Sequence, residues 1–444
     1  MRISHAKSLN KIMETIDTIS LINAMGKFKE TDAKGRYLHW SDFKYKKNDE
    51  NIDIDLAWAA TKMSRLQSNK LINIGEYQFR FCVPDSLQRY LHTIDKKSSG
   101  YIGTNNPESM DGVNNKYLVH SLIMEEAISS AQLEGASTTR RIAKKMLELD
   151  RKPKNKSEIM ILNNYLLMKK ALEMKNESLS IELILSFHEI ATTGAIENNA
   201  VCGEFRQTDD IYVRNHLQEV IYTPPKAEEL YDLMSDLCNF VNTRHDCEEG
   251  EFFIHPVIKA ILLHFFIGFI HPFGDGNGRT ARALFYWFMM KSGYWLFEYT
   301  SISKLIKNAP IQYAKAYLYV EDDELDTTYF LYHQIDIIMR SIDELNFYLQ
   351  RKQRELADFL TRIKNSKIAS KLNFRQLDIL KKAAKEPGRQ FIAKSISIEY
   401  SVSENTARSD LKGLEDKGLL LLIGNSKVRT YISPSDLLDN LLDN

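Results

Sequence analysis

The chain has 444 residues, of which 43% are hydrophobic and 27% charged, the proportions of an ordinary water-soluble globular protein. That length exceeds what one hydrophobic core usually supports, so we expect two or three folding units. Lysine plus arginine equals aspartate plus glutamate at 59 each, which excludes a whole-chain field favouring nucleic acid, anionic membranes or acidic substrates. Four cysteines without metal-site spacing, and no apolar segment long enough to span a bilayer, predict a soluble cytoplasmic protein with no membrane partner.

The first predicted part is an N-terminal module over residues 1–102. It contains helical patterns near Ile54–Leu66 and Pro84–Ile94 but no recognisable chemistry. The segment Gly103–Asn115 that follows is rich in asparagine, glycine, serine and proline, which supply turn conformations rather than a repeating apolar face. This composition predicts a linker.

Residues 116–150 form the second predicted part. Apolar residues recur at helical spacing from Leu118 to Leu133, and Gly135 then interrupts the pattern. The pattern therefore places Glu134 at the C-terminus of a helix.

The largest predicted part, residues 156–325, consists mainly of helical patterns. Residues 326–370 keep helical phase among many charges and predict a connecting helix or two. One extended pair, joined by a polar loop and closed by two prolines, interrupts the helices and predicts a β-hairpin. Its residues are Ile211, Tyr212 and Val213 on one side and Val220, Ile221 and Tyr222 on the other.

The C-terminal part, residues 371–444, gives three short helical patterns followed by strands at Leu419–Ile423 and Val428–Ile432. This is the element order of a winged-helix domain, and Ser403 is a candidate N-cap of its third helix. Between residues 374 and 433 there are eleven Lys or Arg against seven Asp or Glu, a mild basic excess. DNA binding and protein docking or dimerisation both remain open for this part.

A glycine-rich loop, His271-Pro-Phe-Gly-Asp-Gly-Asn-Gly-Arg279, is predicted between two buried helices at residues 257–270 and 280–292. The N-terminus of the second helix offers unpaired N–H groups and a positive dipole to an anion. Glycines allow the backbone to approach that anion closely. The glycines are Gly274, Gly276 and Gly278. The loop is therefore a candidate phosphate-binding site.

Four side chains extend this prediction. Arg279 and Arg282 add planar donors on one helix face, Asp275 is a hard oxygen ligand for Mg²⁺, and His271 titrates near neutral pH. The spacing does not fit a P-loop, and an EF-hand loop starting at Asp275 would need an acid where Tyr286 stands. The remaining alternative is a plain helix-capping turn, which is common for an isolated glycine-rich loop.

The sequence from His271 to Arg282 resembles the active-site signature of the Fic family without a gap. The resemblance covers about Ser121 to Gly293 and includes Gly203-Glu-Phe-Arg206 and Ile254-His-Pro256. It implies a mainly α fold, with a Fic-type helical bundle and a short β-hairpin flap. The winged-helix C-terminal domain completes this expected architecture.

The resemblance also implies a mechanism, protein adenylyltransfer. His271 would remove the proton from a target Ser, Thr or Tyr hydroxyl, which attacks the α-phosphate of ATP. Asp275 would hold Mg²⁺, and Asn277 with the backbone of residues 276–278 would form an anion hole. Arg279 and Arg282 would bind the phosphates. Some relatives transfer UMP, phosphocholine or phosphate instead, so ATP is a family-level expectation.

A second motif of the family resembles Ser129-Ser-Ala-Gln-Leu-Glu-Gly135. By that likeness Ser130 and Glu134 are inhibitory, and Glu134 would pair with Arg282, the arginine that the γ-phosphate needs. Some relatives use this glutamate to remove AMP from a modified protein, so the reverse reaction is an alternative. A third alternative is a DNA-binding regulator with a nucleotide-sensing core, although a sensor needs no base at His271.

The expected partner is a target protein with an acceptor hydroxyl, docked by strand addition on the hairpin edge. Self-modification, a homodimer, and DNA bound through the winged helix are further expectations.

Overall fold

The computed structural model describes residues 3–5, 8–46, 53–98, 112–148, 150–196, 200–214, 220–248, 252–364, 371–385, 389–423 and 429–434. Helices dominate this part of the chain, accompanied by small antiparallel sheets. The chain divides into two compact units, residues 1–102, 125–137 and 155–342 (unit 1) and residues 103–124, 138–154 and 343–444 (unit 2). The finer five-part division stays a prediction. No described helix is long and apolar enough to cross a membrane.

The N-terminal part of unit 1 contains short helices and one hairpin. Its elements are α1 (Leu9–Met13), α2 (Thr18–Lys27), α3 (Trp40–Phe43), α4 (Ile54–Ser68), β1 (Lys70–Ile74), β2 (Tyr77–Phe81) and α5 (Asp85–Ser98). Helices α4 and α5 confirm the two predicted helices. Asp53 caps α4 by accepting hydrogen bonds from N–H groups of its first turn. The β1–β2 hairpin was not predicted; its turn contains Gly75 in the left-handed conformation.

Helix α6 (Gly112–Leu133) begins earlier than predicted. Residues 112–115 of the predicted linker are therefore helical, while residues 103–111 lie outside the described residues. The predicted C-terminus is confirmed, because α6 ends at Leu133 and Gly135 has a left-handed backbone with φ 95°. Glu134 stands directly after the last helical residue.

The remainder of unit 1 is a helical bundle built around two buried helices. Its elements are α8 (Lys156–Glu173), α9 (Ile181–Thr192), β3 (Val213–Arg214), β4 (Val220–Tyr222), α10 (Leu230–Asn242), α11 (Pro256–Ile270), α12 (Asn277–Lys291), α13 (Ile302–Asn308), α14 (Pro310–Asp322) and the first part of α15 (Thr328–Lys364). Helix α12 packs against α8, α9 and α11, and α10 packs against α11. Residues 257–267 of α11 are all buried, in agreement with a helix that is apolar on nearly every side, with Lys259 and His264 as the exceptions in this range.

Unit 2 contains α7 (Arg140–Glu148) and a C-terminal group of elements: α16 (Phe374–Lys385), β5 (Gln390–Ile392), α17 (Ala393–Tyr400), α18 (Glu404–Glu415), β6 (Leu421–Ile423) and β7 (Thr430–Ile432). The three strands form one antiparallel sheet in the order β5-β7-β6. The strand β5 was not predicted. Ser403 caps α18 as predicted, and Leu411 and Leu414 on that helix are fully buried in a core with Phe391 and Tyr431.

Candidate functional site

The loop between α11 and α12 is shorter than the sequence predicted. Helix α11 ends at Ile270, and the left-handed backbone of the next residue, His271 (φ 50°), caps it. Helix α12 begins at Asn277, directly after left-handed Gly276 (φ 85°), and not at Thr280 as predicted. The prediction was wrong because Asn-Gly is a turn dipeptide by local rules. The N-terminal end of α12, which attracts anions through its unpaired N–H groups, therefore follows directly on this loop.

Two buried side chains fix the backbone of this loop. Arg206 donates from Nε to the His271 carbonyl oxygen (3.0 Å), and its own N–H donates to the Pro272 carbonyl oxygen (2.9 Å). The Asn277 amide accepts from the Phe273 N–H (3.0 Å) and donates to the Phe273 carbonyl oxygen (2.7 Å). The side chain of Asn277, expected in the anion hole, thus supports the loop, and its backbone N–H is the group left at the helix N-terminus.

A further residue beside the loop is His188 on α9, which sequence reasoning missed. Its fully buried ring stacks on Phe273 with the ring centroids 3.7 Å apart and the planes 2° from parallel. Burial lowers the pKa of His188 to about 4, so the ring is neutral. The signal that could have found it is a histidine within an otherwise apolar helical pattern, Ile-Glu-Leu-Ile-Leu-Ser-Phe-His188.

His271 carries a neutral imidazole near neutral pH. Burial lowers its pKa below the usual value, and the Gly268 carbonyl and Glu134 only partly oppose this effect, while Arg206 adds to it. Nδ1 of His271 lies 3.3 Å from the Gly268 carbonyl oxygen. Since a carbonyl can only accept, Nδ1 carries the proton and Nε2 keeps its lone pair. Nε2 is therefore the atom able to accept a proton.

Arg279 and Asp275 form an ion pair at the start of α12. The Arg279 guanidinium is 2% exposed; it donates to the Ala191 carbonyl oxygen (2.7 Å) and to Oδ1 of Asp275 (3.1 Å). The same Oδ1 accepts the Gly276 N–H at 2.6 Å. Among the described residues no group of three or more His, Cys, Asp or Glu side chains is arranged to hold a metal ion. A cation at Asp275 would therefore need the phosphates of a nucleotide as its other ligands.

Arg282 lies one helical turn further along α12 and meets the end of α6. Its Nε donates to Oγ of Ser130 (2.9 Å), and its Nη2 donates to both the Ser130 carbonyl oxygen (3.3 Å) and Oε1 of Glu134 (2.9 Å). Oε1 of Glu134 also lies so close to Gly278 that a Cβ there would collide with it. A carboxylate thus occupies the N-terminal end of α12, the position that favours anions.

A buried acid on α6, Glu126, was also missed by sequence reasoning. Its carboxylate is 2% exposed and accepts hydrogen bonds from Oγ of Ser301 (2.8 Å) and from the N–H (3.2 Å) and hydroxyl of Ser303. Burial raises the pKa of Glu126, and the serine hydrogen bonds and Arg282 partly oppose this effect. These bonds fasten α6 to the start of α13, two turns before Glu134.

The predicted hairpin is present but shorter than expected. Strand β3 contains Val213 and Arg214, so Ile211 and Tyr212 precede it, and residues 215–219 lie outside the described residues. On the other side, β4 contains Val220, Ile221 and Tyr222 as predicted. Oη of Tyr222 donates to the Phe269 carbonyl oxygen (2.7 Å), which attaches the hairpin to the last turn of α11.

Packing, as well as backbone conformation, requires glycine at two positions of the loop. A Cβ at Gly274 would lie 2.8 Å from Cβ of Ala200, and a Cβ at Gly276 would lie 2.6 Å from Cγ2 of Thr192. Both positions therefore need glycine for the loop to pack against its neighbours.

Residues 178–289 match the family model described as the Fic/DOC family, a range that contains Arg206, the hairpin and His271 to Arg282. Two relatives are similar over the same region. "Protein adenylyltransferase Fic" of Culex quinquefasciatus is 34% identical over 122 residues, and "Protein adenylyltransferase fic-1" of Caenorhabditis elegans is 32% identical over 123 residues. These matches cover 27% and 28% of this chain but only 21% and 22% of the relatives' own lengths.

One solved structure is similar over most of the chain. It is a crystal structure of a Fic family protein from Desulfovibrio desulfuricans G20, with a TM-score of 0.52 and 16% sequence identity. The similarity covers 81% of this chain and 99% of that one. At this identity the likeness shows the fold, which confirms the expected mainly α class with small β-sheets.

Proposed function

Because residues 178–289 form a Fic domain, we propose that this chain transfers AMP from ATP to a serine, threonine or tyrosine hydroxyl of a target protein. The relatives named protein adenylyltransferase support the reaction class. The observation that carries the proposal is the placement of the neutral base His271 beside the anion-binding end of α12, where Arg279 and Arg282 follow on successive turns.

In the proposed reaction, Nε2 of His271 takes the proton of the target hydroxyl. The hydroxyl oxygen attacks the α-phosphorus, a new P–O bond forms, and the bond to the bridging oxygen of the β-phosphate breaks to release pyrophosphate. Backbone N–H groups of residues 277 and 278, with Arg279 and Arg282, bind the phosphates and stabilise the charge that develops on them. Donors in fixed positions and one base suffice, because this chemistry gains mostly from positioning and electrostatics.

Asp275 is the residue that would hold Mg²⁺. Its carboxylate is oriented by the Gly276 N–H and by Arg279, and it lies at the anion-binding loop, so the donor set fits a cation shared with phosphates. When bound, Mg²⁺ neutralises phosphate charge. Arg279 then keeps its bond to the Ala191 carbonyl oxygen as a second anchor while it contacts the nucleotide.

Glu134 inhibits this reaction in our proposal. Its carboxylate bonds the Arg282 guanidinium and lies over Gly278, where the end of a triphosphate would bind. Ser130 holds the same guanidinium from the other side. A second candidate activity, removal of AMP from a modified protein, rests on the same carboxylate. The Glu134 side chain is 30% exposed and lies close enough to the loop to orient a water molecule.

Target docking and the C-terminal elements complete the proposal. The β3–β4 hairpin would hold a target segment by strand addition, since Tyr212 and Val220 are exposed beside the loop. The helices and the three-stranded sheet of residues 371–434 have the element order of a winged helix. We infer that this domain docks a protein, a second copy or DNA. A loss of binding that steepens with salt would identify DNA.

The test is transfer of label from ATP radiolabelled at the α-phosphate, with Mg²⁺ and with self-modification as readout. Four proteins are compared: wild type, Glu134→Gly, Glu134→Gly with His271→Ala, and Glu173→Gly. The last is a matched control, because Glu173 is an exposed glutamate at the C-terminus of α8. We expect strong labelling with Glu134→Gly alone, lost in the double variant, and wild-type behaviour in the control.

No label with any variant, and none from other nucleotides, would overturn the proposal.

A second experiment tests the reverse reaction. Protein labelled by the Glu134→Gly variant serves as its substrate. Release of AMP by wild type but not by Glu134→Gly would identify AMP removal as the resting activity.

A further inference from the structure

His188 connects three segments of unit 1 through a single ring. It stands on α9, packs face to face on Phe273 of the loop, and accepts the Gly203 N–H on Nδ1 (3.0 Å). A backbone N–H can only donate, so Nδ1 is unprotonated and Nε2 carries the proton. Nε2 lies 2.8 Å from the Asp275 carbonyl oxygen and donates to it. Both nitrogens and one face of the ring are thus engaged.

The bond to the Asp275 carbonyl has a consequence for the Asp275 side chain. The Asp275 carbonyl and the Gly276 N–H belong to one planar peptide unit, so a donor that fixes the carbonyl also fixes the direction of that N–H. The Gly276 N–H in turn donates to Oδ1 of Asp275 at 2.6 Å. His188 therefore sets the orientation of the carboxylate without touching it.

Packing makes this orientation rigid. A Cβ at Gly276 would lie 3.2 Å from Cδ2 of His188 and 2.6 Å from Cγ2 of Thr192, so the peptide is pressed against α9. Gly276 has φ 85°, a conformation that leaves few alternatives for the peptide before it. The ring of His188 and the side chain of Thr192, both on α9, therefore lie against the peptide between Asp275 and Gly276.

We propose that His188 is a positioning residue which holds the Asp275 peptide in the orientation that binds the magnesium–nucleotide complex. The inference rests on the proposed function. It assigns His188 to cation-dependent nucleotide binding. His271 is the proposed base, and Arg206 holds the loop backbone at His271. Outer-shell partners of this kind typically change metal affinity or activity by about 10- to 100-fold when removed.

The experiment measures binding of an ATP analogue that cannot be cleaved at the α-phosphate, by calorimetry, with and without Mg²⁺. The parent is the full-length Glu134→Gly variant, and two changes are added separately. His188→Phe keeps a flat ring to stack on Phe273 and removes both hydrogen bonds. His188→Gln places an amide donor near the position of Nε2 and loses the stacking.

The matched control is His39→Phe. His39 is another buried histidine whose ring stacks on an aromatic ring, that of Tyr319, with the ring centroids 4.1 Å apart. Its Nε2 forms a hydrogen bond with the Asp322 carboxylate. Thermal melting of every variant shows whether it folds. The ratio of affinities with and without Mg²⁺ separates positioning of Asp275 from general loss of structure.

We expect His188→Phe to lose about 10- to 100-fold of the Mg²⁺-dependent part of the affinity, while His188→Gln and His39→Phe retain it. In transfer assays the KM for the magnesium–ATP complex should rise more than kcat falls. The inference is overturned if His188→Phe keeps the parent's Mg²⁺ dependence, if Gln restores nothing, or if the His39 control shows the same loss. A parent that binds nucleotide with Mg²⁺ but transfers no AMP overturns the proposed function alone, and a parent that binds none overturns both.

Discussion

The loop carrying His271 and the end of α6 carrying Glu134 meet at Arg282 but are fixed in different ways. Carbonyl oxygens of the loop are bound at His271, Phe273 and Asp275 by three buried side chains, those of Arg206, Asn277 and His188. The Glu134 side chain lies beyond the last helical residue, is 30% exposed, and bonds the tip of Arg282. A preorganised loop facing a weakly held acid means that the acid can leave without disturbing the loop.

The turns of α6 before Glu134 are held by hydrogen bonds to a neighbouring element, as the loop is, whereas Glu134 bonds the tip of Arg282. Glu126 is buried against Ser301 and Ser303, and Lys307 on α13 donates to Gln132 at 2.6 Å. The part of α6 before Glu134 is thus held to α13. In the proposed inhibition, Glu134 could therefore leave Arg282 by movement of the residues that follow the helix, Glu134 and Gly135, without movement of α6 itself.

The largest effect is expected from Gly276→Ala, which perturbs the rigid loop between α11 and α12. The new methyl group meets α9 at Thr192, and alanine is strained at φ 85°. We expect a loss of about 1–3 kcal/mol in the free energy of unfolding and about a 100-fold loss of transfer rate in the Glu134→Gly background. Urea unfolding and label transfer measure the two quantities. Gly293→Ala is the control, since Gly293 has the same φ with open space around it; equal damage from both would mean that contact with α9 is unimportant.

The second-largest effect is the rise in transfer rate from Glu134→Gly, which removes the weaker contact, that between Glu134 and Arg282. The change removes a charge-assisted hydrogen bond of about 1.5–3 kcal/mol, which corresponds to about a 10- to 100-fold increase in transfer rate. Initial rates against ATP concentration measure it. Glu134→Gln keeps the shape and one hydrogen bond to Arg282 but not the charge, so its transfer rate should lie between those of wild type and Glu134→Gly. A large drop in melting temperature without any gain in rate would mean that Glu134 is structural.

Sequence patterns predicted the parts of this comparison that local chemistry determines. The glycines and charges from His271 to Arg282 are contiguous, and the stop at Gly135 follows from one residue's backbone freedom. The hydrogen bond between Glu134 and Arg282 spans 148 positions, and only the resemblance to a known family suggested it. The helices α4, α5 and α15 followed from their apolar periodicity, and α11 followed from its nearly continuous apolar sequence.

What the sequence did not predict depends on contacts between distant segments. His188 is 87 residues from Asp275, and its role exists only because α9 packs beneath the loop. Strand β5 is three residues long and is defined by pairing with β7, about 40 residues later. The early start of α12 has a local cause instead, because the Asn277 side chain bonds Phe273, four residues earlier, and does not form the turn that Asn-Gly favours.

A smaller rise in rate is expected from Ser130→Ala. The change removes the hydrogen bond from Nε of Arg282 to the serine hydroxyl and leaves the bond to the Ser130 carbonyl oxygen. The donor is a charged guanidinium, but the acceptor is a neutral hydroxyl and the bond to the Ser130 carbonyl oxygen remains, so we expect a loss at the lower end of the range for such bonds, about 1.5 kcal/mol. The transfer rate should then rise about 10-fold. Ser129→Ala, a buried serine one position earlier, is the control. A rise with Ser129→Ala equal to that with Ser130→Ala would assign the effect to loosening of α6 in general.

The smallest effect concerns the pH dependence of transfer by the Glu134→Gly variant. His271 must be neutral to act as a base, and burial lowers its pKa below the ordinary value of about 6.5. The base form is therefore present at neutral pH, and the rate should stay constant as pH falls until it reaches that lowered pKa, then decline. Glu134 raises the pKa of His271, so the residual activity of wild type should decline at a higher pH than that of the variant. An acid limb at the same pH in both proteins would show that Glu134 does not act on the base and inhibits through Arg282 alone.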